Sequence, residues 1–366
     1  MDEKIKLGIS HGDVNSISYE VIMKSLMDTR MLDICTPVIY GSPKVAAYHK
    51  KALDIENFNL NNINNVGECK NGRVNIINCV DENIRVELGK SSESAGIASY
   101  LALEAATDDL RDNRIQALVT GPINKFNIQS KSFNYGGHTE YFKDRFGVEE
   151  VMMLMVSDIM KVGLVTTHVP IRELPEMITE ELIYSKLKLM SHSLLTDFGI
   201  RGARIAVLGF NPHAGDSGLL GSEEERVIIP AINRAMEHNI YALGPFPADG
   251  FFGSGMFTKF DGILAMYHDQ GLAPFKALSM DRGINFTAGL PVVRTSPAHG
   301  TAYELAGKNE ANFESFRNAI YAACDIYHQR ALYRELSKNP LPTGLTQEEG
   351  EDESPEDLEV REDRER

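Results

Sequence analysis

The chain has 366 residues, of which 43% are hydrophobic and 24% charged, a composition typical of globular proteins. Its length exceeds what one small core needs and predicts two α/β domains, or one domain with a large insertion. The formal net charge is −15, and without a basic patch or a Cys/His finger we expect no nucleic-acid partner. No run of about eighteen apolar residues occurs, so no membrane-spanning segment is predicted.

The cysteines and the two ends of the chain indicate where the protein works. Four cysteines lie scattered without Cys-x-x-Cys spacing, which favours reduced thiols over a disulfide framework. The first residues enter a strand without the apolar segment of a signal peptide, so we predict a cytoplasmic protein. From Gln347 to Arg366 there are 11 acidic residues and 3 arginines, a net of −8. We expect residues 342–366 to be a disordered acidic tail whose role stays open.

Apolar, strand-like runs alternate with helical periodicity along most of the chain, which predicts a mainly parallel sheet covered by helices. The first half is predicted to contain strands at 5–10, 36–41, 74–77 and 117–120, and helices at 18–30, from 43 onward, and at 92–113. The second half is predicted to contain strands at 151–156, 161–166, 204–209, 262–267 and 284–288, and helices at 179–198, 222–237 and 313–336. The predicted fold class is therefore α/β.

Three histidines each follow an apolar, strand-like run: His168, His213 and His268. In open α/β sheets the ends of strands are where ligands bind, because the loops there converge on one crevice. Neutral imidazoles from separate loops commonly hold Zn²⁺ or a similar divalent ion. Each histidine alone suits a local hydrogen bond as well, but their shared position predicts a metal site.

Polar residues in glycine-rich loops are candidates for binding a small anion. Gly136-Gly-His-Thr-Glu140 places a histidine, a hydroxyl and a carboxylate together, and Lys125 follows a buried strand. Lys276, Asn285 and Arg294 come at steps of nine residues near predicted element ends. A lysine and an arginine suit a phosphate plus a carboxylate, although each alone reads as a solvated charge. The P-loop spacing and the Gly-x-Gly-x-x-Gly motif are both absent, which argues against those two nucleotide sites.

Two carboxylates adjoin the predicted metal site: Asp249, and Asp269 directly after His268. Either could orient a ligand histidine or accept a proton, and both could also be loop-capping residues. We predict that one of them is the catalytic base and leave open which.

The chain closely resembles the 4-hydroxythreonine-4-phosphate dehydrogenase family of vitamin B6 synthesis over about residues 5–331. The matching stretches are Thr120-Gly-Pro-Ile-Asn-Lys125, Gly137-His-Thr-Glu140, Thr167-His-Val-Pro170, Asn211-Pro-His-Ala-Gly215, Pro247-Ala-Asp249, Met266-Tyr-His-Asp-Gln-Gly271, Asn285-Phe-Thr-Ala-Gly-Leu-Pro291, Arg294-Thr-Ser296 and His299-Gly-Thr-Ala302. This resemblance implies a two-domain α/β/α sandwich like that of isocitrate and isopropylmalate dehydrogenases, which bind NAD without the Gly-x-Gly-x-x-Gly motif. It also implies a homodimer whose active sites lie in the interdomain cleft and are built by both subunits. We place a first domain at 1–126 plus 300–340, and a second at 127–299 with the metal site and dimer interface.

The resemblance also implies roles for individual residues. The metal ligands would be His168, His213 and His268, shared across the dimer, with zinc favoured and cobalt or magnesium open. The substrate-binding residues would be His138, Thr139, Lys276, Asn285 and Arg294. The loop from His299 through Gly300 and Thr301 is similar to the adenine-side loop of the wider fold, which implies NAD binding, with NADP open.

One loop departs from the family pattern. The family usually shows Gly-Asp-Pro-Ala-Gly-Ile-Gly-Pro-Glu after the first strand, and here the run is Gly12-Asp-Val-Asn-Ser-Ile-Ser-Tyr-Glu20. The lost Pro and Gly positions change the backbone freedom of the loop, which leaves the identity of the hydroxy-acid phosphate open. The resemblance implies NAD-dependent oxidation of 4-phosphooxy-L-threonine at C3, with decarboxylation to 3-amino-2-oxopropyl phosphate. The alternatives are the same chemistry on D-threonate or D-erythronate 4-phosphate, and a metal-binding acyltransferase or sensor.

Overall fold

The computed structural model describes residues 4–81 and 83–339, and twelve strands of this part form one sheet. The strands, in chain order, are β1 (Ile5–Ser10), β2 (Cys35–Gly41), β3 (Leu60–Ile63), β4 (Val74–Asn78), β5 (Ala117–Thr120), β6 (Met152–Val156), β7 (Lys161–Leu164), β8 (Ile205–Leu208), β9 (Ala242–Phe246), β10 (Gly262–Ala265), β11 (Ile284–Ala288) and β12 (Val293–Pro297). Their order across the sheet is β3-β4-β2-β1-β5-β12-β11-β6-β7-β10-β8-β9. The three antiparallel pairings are β12 with β11, β11 with β6, and β6 with β7, and the other eight are parallel. The prediction of an α/β fold with a mainly parallel sheet is confirmed.

Eleven α-helices connect these strands in the described residues. They are α1 (Ser18–Leu26), α2 (Met31–Ile34), α3 (Pro43–Ala52), α4 (Glu93–Arg111), α5 (His138–Arg145), α6 (Leu174–Met177), α7 (Glu180–Thr196), α8 (Ile229–Glu237), α9 (Ala248–Gly253), α10 (His268–Ser279) and α11 (Glu314–Leu336). A single π-helical turn, Glu224–Ile228, leads directly into α8. No helix within the described ranges has both the length and the apolar character that crossing a bilayer requires.

The strands of the two predicted domains occupy separate halves of this sheet. Strands β1–β5 fill one half and β6–β12 the other, and the halves meet where β12 pairs with β5. Residues up to Arg330 form one compact unit, and the described residues beyond it are the end of α11 and a short turn. The domain boundaries stay a prediction, and the acidic segment 342–366 lies outside the described residues.

A side-chain cap sets the start of α3. The Ser42 hydroxyl accepts a hydrogen bond from the Val45 amide at 3.2 Å, with Pro43 at the first helical position of α3. The first long helix is shorter than the predicted 18–30, because α1 ends at Leu26. Beyond it, the Asp28 carboxylate accepts the Arg30 amide at 3.0 Å and closes a turn before α2.

The sequence analysis missed five helices, α2, α5, α6, α9 and α10, and two of them begin at predicted site residues. The sequence around His138 reads as a glycine-rich loop, yet α5 begins at His138 itself, directly after Gly137. Helix α10 begins at His268 and contains Gly271 and Pro274, two residues that disfavour helix. Gly271 is needed because a Cβ there would lie 2.8 Å from Leu164 and 3.0 Å from Ala265. This close approach sets the start of α10 against β7 and β10.

The loop between β1 and α1 covers a buried stack of aromatic rings. His11 stacks on Tyr19 with centroids 5.4 Å apart, and Tyr19 stacks on His49 at 5.0 Å. The ring nitrogen Nε2 of His49 donates to the Val14 carbonyl at 2.7 Å, which ties α3 to this loop. Burial lowers the pKa of both histidines to about 4, so both are neutral in the folded protein at pH 7.

This stack predicts a loss of stability in mild acid. Because an unfolded histidine has a pKa of about 6.5, the unfolded chain binds more protons than the folded one between pH 6.5 and pH 4. The free energy of unfolding should therefore fall as pH drops through this window, by up to about 3 kcal/mol for each histidine. Urea denaturation at pH 7.5, 6 and 5 measures the slope. His49→Gln keeps a donor for the Val14 carbonyl and should reduce the slope of the unfolding free energy against pH. His192→Gln, at an exposed position, should leave this slope unchanged. An unchanged slope in His49→Gln would contradict this account.

Candidate active site at the ends of three parallel strands

The three predicted metal ligands follow three neighbouring parallel strands. His168 comes four residues after β7, His268 begins α10 after β10, and His213 lies in a 3-10 turn after β8. Strand β10 pairs in parallel with both β7 and β8, so all three histidines lie at one edge of the sheet. The rings of His168 and His268 are 6.0 Å apart between centroids. His213 has no described contact with either ring, and no group of three or more ligating side chains forms an ion site within the described residues.

Carboxylates flank both paired histidines on the Nδ1 side. Asp269 Oδ1 lies 2.7 Å from Nδ1 of His268, and Glu140 Oε1 lies 3.6 Å from Nδ1 of His168. The interaction of its carboxylate with the His168 ring is the main cause that lowers the pKa of Glu140. A carboxylate on Nδ1 orients an imidazole and leaves Nε2 to face an ion. The ring spacing and these carboxylates fit two ligands of one cation with metal–nitrogen bonds of about 2 Å.

A lysine joins this cluster from another loop. Lys125, five residues after β5, donates from Nζ to Nε2 of His168 at 3.2 Å. From the sequence, Lys125 was predicted only as a candidate for binding an anion, and Glu140 only as part of a polar loop. Both residues lie in motifs that carry the family resemblance, and this was the one feature of the sequence that indicated their place in the site.

Arg294 is buried without a counter-ion. Its side chain is 1% exposed, and Nε and Nη2 donate to the Thr120 hydroxyl at 3.1 and 2.6 Å, while Nη1 donates to the Thr287 hydroxyl at 3.1 Å. No carboxylate of the described residues lies within 4 Å of the guanidinium, and burial lowers the pKa of Arg294 to about 9. A buried guanidinium without a carboxylate is costly unless an anion completes it. The arrangement favours the binding of an anion at Arg294.

His138 lies beside this guanidinium. Burial, followed by the charges of Arg294 and Lys125, holds the pKa of His138 well below its ordinary value. Its Nε2 is buried without a hydrogen-bond partner in the described residues, as is Oδ1 of Asn285. Buried polar atoms without partners are rare in folded proteins and mark groups that await a ligand. The neutral imidazole, the amide and the guanidinium together suit a substrate with an anionic group and hydroxyls.

The side chains of three other predicted site residues make no described contact with this cluster in a single chain. Lys276 is exposed near the end of α10, about 12 Å along the helix axis from His268. It lines a hollow of about 380 Å³ with Asp158 and Arg282. Asp249 is exposed in the first turn of α9, and its side chain makes no hydrogen bond or ion pair in the described residues. Thr139 is half-buried in the first turn of α5. The roles of these residues stay predictions.

The predicted cofactor loop is anchored to the divergent loop after β1. The Thr301 carbonyl accepts the Ile17 amide at 3.2 Å, and the Tyr303 hydroxyl donates to Asp13 Oδ2 at 2.7 Å. Asn127 also donates to this Asp13 oxygen, at 2.8 Å. Nδ1 of His299 donates to the Gly300 carbonyl at 3.0 Å, and its Nε2 is buried without a partner within the described ranges. Burial lowers the pKa of His299, so its free nitrogen can meet a neutral or polar part of a nucleotide.

The chain is similar to known proteins in both sequence and structure. Residues 33–323 match the family described as Pyridoxal phosphate biosynthetic protein PdxA. The chain is 53% identical to 4-hydroxythreonine-4-phosphate dehydrogenase of Bacteroides thetaiotaomicron, over 93% of each chain. It is 36% identical to an Oceanobacillus iheyensis protein provisionally named D-threonate 4-phosphate dehydrogenase, over 89% of this chain and 99% of that one.

A solved structure shows the same fold. The crystal structure of 4-hydroxythreonine-4-phosphate dehydrogenase from Klebsiella pneumoniae superposes with a TM-score of 0.77 at 29% identity, and the match covers 88% of this chain and 98% of that one. The motifs that carry the resemblance are also the ones that supply the clustered residues of the site. The chain belongs to the pyridoxal phosphate biosynthetic protein PdxA family.

Proposed function

We propose that the chain oxidises 4-phosphooxy-L-threonine at C3 with NAD as hydride acceptor. The resulting β-keto acid loses CO₂ and leaves 3-amino-2-oxopropyl phosphate, a precursor of pyridoxal phosphate. The observation that carries this proposal is the buried, unpaired Arg294 beside the His138 and His168 cluster. It supplies an anion pocket next to a pair of histidines, in a chain that is 53% identical to a protein named for this activity.

In this proposal the chain's own residues bind and orient the substrate. Arg294, fixed by Thr120 and Thr287, binds one anionic end, and a guanidinium held in this way recognises a phosphate or carboxylate through paired donors. His138 and Asn285 offer unpartnered polar atoms to the middle of the substrate. Such fixed contacts hold C3 in the geometry needed for hydride transfer.

His168 and His268, with His213, would hold a divalent metal ion, zinc first among the candidates. When bound, such an ion supplies Lewis acidity at the C3 hydroxyl. Asp269 is hydrogen-bonded to Nδ1 of His268, which supports an orienting role for this carboxylate. Asp249 is exposed and therefore free to take the hydroxyl proton through water. Cofactor contacts are proposed for His299, Gly300 and Thr301.

A homodimer with shared sites is part of the proposal. His213 has no described contact with the His168 and His268 pair of its own chain, and we propose that the third ligand comes from a second copy. Several large apolar side chains near the site are exposed, among them Phe126 at 87%, Ile171 at 76% and Leu219 at 77%. Exposed apolar groups of this size favour a protein–protein contact. We propose a cytoplasmic location for this dimer.

D-Threonate or D-erythronate 4-phosphate is the alternative substrate, supported by the 36% identical relative that is named for threonate. The three acids differ at C2, which carries an amine in 4-phosphooxy-L-threonine and a hydroxyl, in opposite configurations, in the two sugar acids. Arg294 binds an anionic end and does not separate them. An acyltransferase or sensor would leave Asp249 and Asp269 without a role and would give no NADH with any of these substrates.

The activity is tested by following NADH absorbance with 4-phosphooxy-L-threonine and, side by side, with the two sugar-acid phosphates. We expect the highest kcat/KM with the amino substrate and a loss of at least a hundredfold in His213→Ala, because a metal ligand is removed. His192→Gln, at an exposed position, serves as the control and should keep full activity. If His213→Ala kept most of its activity at saturating metal, the metal would have no part in the reaction.

The anion pocket predicts a specific defect for Arg294→Lys. Lysine keeps the charge but loses the planar pair of donors, and a charged hydrogen bond contributes about 1.5–3 kcal/mol. KM for the phosphorylated substrate should therefore rise roughly 10- to 150-fold. Arg30→Lys is the matched control, because Arg30 is an exposed arginine paired with Asp28. A KM unchanged in Arg294→Lys would refute this assignment of the anion pocket.

Shared sites predict complementation between inactive variants. His168→Ala and His213→Ala should each be inactive alone, because every site lacks one ligand. Unfolding and refolding them together should restore part of the activity, since a mixed dimer has one site with both mutations and one intact. If the mixture stayed as inactive as each variant, His168 and His213 of a site would have to come from the same subunit.

A further inference from the structure

The turn that carries His213 has an unusual backbone. Six consecutive residues, 213–218, have positive φ, and four of them are not glycine: His213 (54°), Ala214 (52°), Asp216 (45°) and Ser217 (58°). A left-handed conformation costs roughly 1–2 kcal/mol for each such residue. It persists only where the surroundings fix it firmly, and such strain gathers at functional sites.

The surroundings that fix this turn centre on one buried carboxylate. Glu224 is 2% exposed, and its Oε1 accepts the amides of Phe210 at 2.8 Å and Asn211 at 2.7 Å. Its Oε2 accepts Nδ2 of Asn211 at 2.9 Å. No lysine, arginine or histidine of the described residues forms an ion pair with it. The described hydrogen bonds of this carboxylate therefore all go to Phe210 and Asn211, in the segment that leads into His213.

The turn lies directly on this carboxylate. A Cβ on Gly215 would come 2.7 Å from Oε2 of Glu224, so the backbone there approaches as closely as glycine allows. Glu224 begins the π-helical turn before α8, and π-helical turns recur at functional sites. The neighbouring Glu223 accepts Nδ2 of Asn211 at 2.7 Å and the Ser222 amide at 3.0 Å.

A second contact joins the His213 turn to the His268 helix. Gln270, two residues after His268, accepts the Met266 amide at 2.8 Å and donates to the Gly209 carbonyl at 2.6 Å. Gly209 directly follows β8, just before the turn. The beginning of α10 and the beginning of the turn are thus held at a fixed separation.

We propose that Glu224 is a positioning residue for metal binding, because it holds the strained turn that presents His213. This inference rests on the proposed function, in which His213 is a metal ligand. Glu224 touches neither substrate nor metal and acts through the amides of Phe210 and Asn211. Its effect should therefore appear first in metal affinity and in the geometry of the bound ion.

The test compares Glu224→Asp with Glu224→Gln in the full-length protein, with Glu225→Asp as the matched control. Asp shortens the side chain by one methylene and so withdraws the carboxylate from the amides of Phe210 and Asn211. Gln keeps the length of the side chain and an oxygen that can accept these two amides. Glu225 is the exposed neighbour. Co²⁺ alone is the probe, titrated by calorimetry and by its visible absorption. We expect Glu224→Asp to weaken Co²⁺ binding 10- to 100-fold and to alter the spectrum, and Glu224→Gln and Glu225→Asp to stay within a few-fold of wild type.

Two outcomes overturn this inference, and they are distinguishable. If wild type binds Co²⁺ and His213→Ala loses it, but Glu224→Asp binds like wild type, the positioning role is wrong and the proposed function stands. A lower melting temperature in Glu224→Asp with an unchanged Kd and spectrum also shows a structural role only. If wild type itself binds no Co²⁺, the metal in the proposed function fails, and this inference fails with it.

Discussion

The pairing of β12 with β5 is the constraint on which the rest of the structure depends. It joins the two halves of the sheet, and Arg294 lies in it, opposite Leu118. A guanidinium in the middle of a sheet is expensive to bury. Here two threonine hydroxyls accept its hydrogen bonds, and no carboxylate of the described residues forms an ion pair with it. In the proposed function an anionic group of the substrate completes this residue, so the pairing that joins the two halves of the sheet also carries the proposed anion site.

The fold class and the strand ends could be predicted because apolar runs dictate them. Strands β7, β8 and β10 appear in the sequence as short buried segments, and the residues that follow them form the site. The start of α10 could not be predicted in this way, because Gly271 and Pro274 argue against a helix. Its position depends on close packing against Leu164 and Ala265, which is a tertiary contact that local propensity does not contain.

The site was predicted in part, and the failures have a common cause. Motif position located His168, His268, His138 and Arg294, which the structure brings into one region. It did not reveal that Thr120 and Thr287 hold the guanidinium, because a threonine in a strand looks like any other strand residue. It also did not show that the side chains of Lys276 and Asp249 make no described contact with the cluster. These relations depend on which face each side chain takes, which a motif does not encode.

The anchoring of Tyr303 to Asp13 changes how variation in the first loop should be interpreted. Sequence comparison suggested that this loop bears on which acid is accepted. Two of its described contacts run to the segment after His299 and tie the two segments together. Variation between Asp13 and Glu20 would therefore reach the segment for which cofactor contacts are proposed. On that proposal, relatives that differ there would diverge in coenzyme retention sooner than in choice of acid.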